Sequence, residues 1–192
     1  PDNYSGEEGT DLGIIGVSVS DADIDGVIHD DRLQYNFTTD NGTISLNQTL
    51  GLIFEDGCAC DGTNDTALSF TSNPQNFNNA VSTLTFHPSL DYFGPDGEIN
   101  ISVNDQGNIG IPDGADPSEL TDSHIISILV NSVNDAPALE VPIDQFIQED
   151  ATINIDGIEF SDIDIEDNIF EMVISMENSF ISLNGEPPFE GL

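Results

Sequence analysis

Short apolar runs alternate with polar residues along most of the chain, and Gly, Asn, Asp or Pro closes nearly every run. The period is two, which is the signature of β-strands with one buried face. Strands are predicted over residues 12–20, 33–38, 43–46, 50–54, 67–71, 82–86, 98–104 and 124–131. Residues 1–11 are polar and turn-rich, and no segment carries a sustained helical period. Residues 76–82 could hold one helical turn at most. Many short strands at this spacing predict an all-β fold, an Ig-like antiparallel β-sandwich.

The two ends of the chain repeat each other. Glu8 and the run Gly16-Val17-Ser18-Val19-Ser20-Asp21-Ala22-Asp23 match Glu149 and Gly157-Ile158-Glu159-Phe160-Ser161-Asp162-Ile163-Asp164, all 141 residues apart. Farther on, residues 41–46 match residues 178–183 at an offset of 137. A period of this length means whole domains in tandem. The expected organisation is a complete repeat over 1–137, then the N-terminal part of a second, truncated repeat over 138–192. The stretch Val133-Asn134-Asp135-Ala136-Pro137 joins them.

Charge narrows the function. Thirty-seven acidic residues face a single basic one, Arg32, for a net charge of −36. Such a chain lacks the basic footprint that nucleic acid requires, and anionic membrane surfaces repel it in the same way. Self-repulsion at this charge calls for bound cations or high ionic strength. No apolar run approaches the length of a membrane span. Six Asn-x-Ser/Thr sequons, at Asn3, Asn36, Asn41, Asn47, Asn64 and Asn100, suggest a glycosylated, extracellular or cell-surface protein.

Cys58 and Cys60 stand in a Gly- and Asp-rich loop without the second ligand pair of a zinc site. A local disulfide, a cross-link between chains and a free thiol pair all remain open. Asp56, Asp61 and Asp65 in the same loop could make a calcium site or a metal-free hairpin end. Asp21-Ala-Asp23-Ile-Asp25-Gly26 opens like an EF-hand loop, but its twelfth position is Arg32 in place of the bidentate Glu. His29, His87 and His124 are scattered, and no nucleophile-elbow, phosphate-loop or zinc-protease motif is present. The sequence reads as non-enzymatic.

In order, the chain shows Glu8, Asp21-Ala-Asp23, Leu90-Asp91-Tyr92-Phe93, Asn134-Asp135-Ala136-Pro137, Glu149 and Asp162-Ile-Asp164. This succession resembles the cadherin-like tandem repeats of large secreted and surface adhesin-type proteins. The resemblance implies Ca2+ bound at the linker by Glu8, Asp91, Asn134 and Asp135 with Asp162 and Asp164 of the next repeat. Asp21 and Asp23 would serve a preceding repeat and Glu149 a following one. Phe93 stands where that family has a second mid-domain acid, and Ser132 where its linker begins with Asp, which implies fewer or weaker ions. The function implied is that of a calcium-rigidified stalk, spacer or adhesive module. Its partners would be neighbouring repeats and cell-surface ligands. Two other readings fit the composition. One is a glycosylated building block of a polymeric filament, sheath or appendage, with other copies as partners. The second is a carbohydrate- or mineral-binding domain.

Overall fold

The computed structural model describes residues 3–21, 24, 32–107, 119–165, 169, 171–175, 177 and 182. Among the described residues the protein is mostly β, with mixed and antiparallel sheets and one helix. It divides into two compact units, Pro1–Asp135 and Ala136–Leu192.

In the first unit the strands are β1 (Asn3–Glu7), β2 (Leu12–Gly13), β3 (Leu33–Asp40), β4 (Gly42–Leu46), β5 (Ile53–Phe54), β6 (Ala67–Ser72), β7 (Leu84–Pro88), β8 (Gly94–Asn104) and β9 (Thr121–Asn131), and the helix is α1 (Pro74–Val81). They form a six-stranded sheet in the order β1-β9-β8-β3-β6-β5 and a three-stranded sheet, β2-β7-β4. All pairings are antiparallel except β1 with β9, which is parallel. The inward positions of both sheets contribute to one core, in which Tyr35, Phe37, Ile44, Phe70, Phe86, Ile99 and Ile128 are buried. Tyr35 stacks on Phe77 of α1 at 4.0 Å and on Phe70 at 5.5 Å. Aromatic packing of this kind adds to the area term that drives burial.

Three local departures from the predicted strands have clear causes. The predicted strand 12–20 pairs only at Leu12 and Gly13, because Gly16 turns the backbone to φ 85° and breaks the ladder. Beyond it, the Asn78 side chain replaces a strand partner, accepting from the Val19 N–H at 2.8 Å and donating to the Val19 carbonyl at 3.0 Å. The helix is a full eight residues, longer than the single turn expected. Asn73 caps it by accepting from the Asn76 N–H at 2.8 Å, Pro74 starts it, and Phe77, Ala80 and Val81 bury one face. Finally, β1 has no apolar alternation of its own. It is a strand because β9 supplies the hydrogen bonds.

The second unit contains β10 (Ala138–Glu140) and β11 (Glu159–Ser161), paired antiparallel. At the matched turns its backbone follows that of the first unit. Gly9 and Asp150, 141 residues apart, both have positive φ, 65° and 60°. Gly16 and Gly157 do so too, at 85° and 83°. The turn hydrogen bond Thr10 N–H to Glu7 O at 3.3 Å recurs as Ala151 N–H to Gln148 O at 3.3 Å. The match at residues 178–183 lies outside the described residues, Ser182 excepted.

Candidate cation site

The parallel pairing of β1 with β9 determines where Glu8 goes. Glu7 lies opposite Asn131, and the Glu8 N–H donates to the Asn131 carbonyl at 2.9 Å. The first strand and the chain leaving β9 therefore run out side by side, and Glu8 meets residues 133–135. Glu8 is only 8% exposed. One carboxylate oxygen, Oε1, accepts the Val133 N–H; the other, Oε2, is buried and has no hydrogen-bond partner among the described residues. The Asp135 carboxylate comes within 4.8 Å of the Glu8 carboxylate.

A buried carboxylate oxygen without a donor is costly unless a cation or proton satisfies it. Two converging carboxylates raise that cost by mutual repulsion. Hard divalent cations take such oxygens, and a nearby amide carbonyl adds a neutral ligand. Asn134, exposed, has its Nδ2 turned to the Asp135 carbonyl at 3.0 Å, and its Oδ1 forms no hydrogen bond among the described residues. The donor set of the first unit thus fits a hard cation.

The remaining predicted ligands are placed as follows. Gly94 pairs with Val130, so the turn that carries Asp91 lies at the same end of the sheet as Glu8. Asp91 itself is exposed, at φ 56°, in a turn closed by Tyr92 N–H to Ser89 O at 3.1 Å. It does not join Glu8 and Asp135 in their close group. Asp21 lies toward the other end of the unit, in the wall of a cavity of about 560 Å³ with Tyr35, Phe77, Val103, Asp105 and Thr121. Asp23 is outside the described residues. In the second unit Glu149 is exposed on its turn, and Asp162 Oδ1 accepts the Asp164 N–H at 3.0 Å in a turn of its own.

Cys58 and Cys60 are bonded to each other. In the adjoining loop Asp65 Oδ2 accepts the N–H groups of Asp61, Gly62 and Thr63 at 3.2, 2.8 and 3.0 Å, and Asp61 Oδ1 accepts Thr63 N–H at 2.9 Å. These carboxylates hold a hairpin end by binding its backbone. Among the sequons, Asn3, Asn41, Asn47 and Asn64 are exposed, whereas Asn36 and Asn100 are half-buried on the outward face of the large sheet.

One constellation escapes a reading of the sequence. His87 Nδ1 lies 2.6 Å from Asp11 Oδ1, and its Nε2 lies 2.9 Å from Ser45 Oγ. No spacing rule flags it, because Asp11, Ser45 and His87 come from three separate segments brought together by the β2-β7-β4 sheet. The alignment is that of a nucleophile, base and orienting acid. Ser45 is buried, however, and its oxygen already accepts the Asn64 N–H at 2.9 Å, while Gly62 and Thr63 spend their N–H groups on Asp65. The line of contacts ties strands β2, β4 and β7 to the loop that carries Asn64 as a polar stitch.

Among the described residues no helix is long and apolar enough to cross a membrane. Comparison with protein families, with curated protein sequences and with solved structures found no match.

Proposed function

We propose that the chain is a non-enzymatic, calcium-binding structural repeat of a cadherin-like β-sandwich array, an extracellular stalk, spacer or adhesive module. The observation that carries the reading is the Glu8 carboxylate, buried, with one oxygen that has no donor among the described residues and Asp135 converging on it. In this reading Glu8, Asn134 and Asp135 hold the cation. The family resemblance adds Asp91 and the next repeat's Asp162 and Asp164. Bound calcium would supply charge compensation at a linker of high negative charge and stiffen it.

The test is thermal melting during a calcium titration at fixed high ionic strength. The midpoint should rise over micromolar to millimolar calcium and stay flat when sodium of equal ionic strength is added. At a hundred times the dissociation constant, ligand binding stabilises by about 2.7 kcal/mol. Glu8→Gln should remove most of that rise. A calcium response equal in wild type and Glu8→Gln, or no response at all, would overturn the assignment. Asp162→Ala with Asp164→Ala asks separately whether the second repeat contributes; if it does, calcium affinity falls while the first unit stays folded.

A further inference from the structure

The inward face of the six-stranded sheet does not stay apolar along its whole length. On β9, Ile126, Ile128 and Val130 point inward and are buried, and the same alternation carries Asp122 and His124 to the inward side, where both are exposed. The register puts Asp122 in one row with Val103, Tyr35 and Phe70, and His124 in the next with Ile101 and Phe37. At this end the core gives way to the cavity of about 560 Å³, whose wall is apolar at Val19, Leu33, Phe77 and Val103 and acidic at Asp21, Asp105 and Asp122. Its described lining holds neither lysine nor arginine. Tyr35 is fully buried in this wall, and its hydroxyl forms no hydrogen bond among the described residues. Ser72 lies beside that hydroxyl, but its own hydroxyl donates to the Asn73 carbonyl at 3.2 Å. Burial holds the phenol above its usual range and the charge of Asp21 adds to this, so Asp21 stands near the hydroxyl.

We infer that this cavity binds a small organic ammonium ion with an apolar body, its N–H groups directed to the Tyr35 oxygen and its charge to Asp21. The volume falls within the range of about 300–1,000 Å³ typical of small-molecule sites. A buried hydroxyl without a partner is costly, and a phenol oxygen can accept from an ammonium N–H. Charge then selects among ligands. Three carboxylates around one cavity repel each other and any anion, whereas a cation offsets them, more strongly in partly buried surroundings than in water. The hydrocarbon part of the ligand would cover the apolar wall, which is otherwise wet. The inference does not rest on the calcium reading, because Glu8 and Asp135 lie at the Gly94–Val130 end of the sheet and this cavity at the Asn104–Thr121 end.

The test is an NMR titration of the full, calcium-free chain at neutral pH and fixed ionic strength. The probes are protonated phenethylamine, its trimethylammonium derivative, phenylethyl alcohol and methylammonium. Phenethylammonium should shift the amide signals of Val19, Val103 and Thr121 and reach saturation. The trimethyl derivative keeps ring and charge but has no N–H, the alcohol has no charge, and methylammonium has no ring; each should bind severalfold more weakly. Tyr35→Phe keeps the stacked ring and should bring phenethylammonium down to the level of its trimethyl derivative. Asp21→Asn should weaken both aromatic cations severalfold and leave the alcohol unchanged, which keeps the test open should Tyr35→Phe fail to fold. The inference is overturned if phenethylammonium shifts signals all over the acidic surface without saturating, or if methylammonium or the alcohol binds as well as it does. It is overturned equally if a folded Tyr35→Phe keeps the preference for phenethylammonium over the trimethyl derivative, or if Asp21→Asn weakens neither cation.

Discussion

Two stretches of this protein, residues 8–21 and 149–162, have the same pattern and the same backbone turns but opposite surroundings. Ile14 is fully buried, and Leu12, Val17 and Val19 pack against the core. Their counterparts 141 residues on, Ile155, Ile153, Ile158 and Phe160, are 48%, 38%, 42% and 48% exposed. Positive φ recurs at Gly9 and Asp150 and at Gly16 and Gly157 regardless. Local sequence dictates the path of the backbone, whereas burial depends on what packs against it. In the first unit that cover is β7 and α1, which meet the segment at Leu84 and Asn78. Among the described residues the second unit has no buried apolar side chain.

The sharpest way to break the comparison is one substitution made in both copies. Ile14→Ala should destabilise the first unit by about 2–5 kcal/mol, the range for truncating a buried aliphatic side chain. Ile155→Ala should stay within about 0.5 kcal/mol, as surface changes do. All three tyrosines, Tyr4, Tyr35 and Tyr92, lie in the first unit, so denaturation followed by tyrosine fluorescence reads Ile14→Ala, while hydrogen exchange across residues 138–161 reads Ile155→Ala. Equal costs at the two positions would mean that the second copy has a core after all.

The polar stitch of the first unit offers the next test. His87 bridges Asp11 through Nδ1 and Ser45 through Nε2, and the Ser45 oxygen accepts the Asn64 N–H. Every group in the chain of contacts is satisfied. Ser45→Ala strands the Asn64 N–H and the ring nitrogen together. The expected loss is about 0.5–1.5 kcal/mol, the net worth of an ordinary hydrogen bond, because Asn64 is exposed and His87 half-buried. Urea denaturation measures it, and a serine-directed covalent probe should leave the wild-type chain unlabelled.

What can be read from the sequence follows the same division between local pattern and packing. β3, β4 and β6 are readable because Leu33-Tyr35-Phe37, Ile44-Leu46 and Leu68-Phe70 alternate against polar neighbours. β1 is not, since Asn3–Glu7 is polar and takes its strand form from β9. α1 is underestimated because it opens on Pro74-Gln75-Asn76 and has few apolar positions; the Asn73 cap and the Phe77–Tyr35 stack supply what propensity lacks. Of the candidate site, Glu8 and Asp135 are visible as motif residues 127 positions apart. What no motif can reveal is the burial of one Glu8 oxygen without a donor among the described residues, which depends on β1 running parallel to β9.

Tyr35 gives a comparison in pH. Burial, reinforced by the charge of Asp21 and opposed by Ser72, pushes its phenol well above the usual tyrosine range. A folded-state value above the unfolded one means that stability is unaffected below the unfolded value of about 10 and falls as pH rises beyond it. Tyr35→Phe should flatten that alkaline decline in the first unit. An unchanged decline would assign it to other groups.

The smallest effect tests the repeated turn itself. At φ 85° and 83°, Gly16 and Gly157 occupy the left-handed region, where a Cβ is strained. A Cβ at Gly157 would meet nothing within 4 Å, so Gly157→Ala isolates the backbone term. It should cost about 1–2 kcal/mol locally, read as faster hydrogen exchange around the turn. Gly16→Ala adds displacement of a segment that lines the core, and its effect should spread to Val19 and the Asn78 contacts that hold it. If exchange quickens equally and only locally in both, the turn is an independent unit of structure. If Gly16→Ala loosens the whole segment while Gly157→Ala does not, the same backbone bend is local in one copy and coupled to a core in the other.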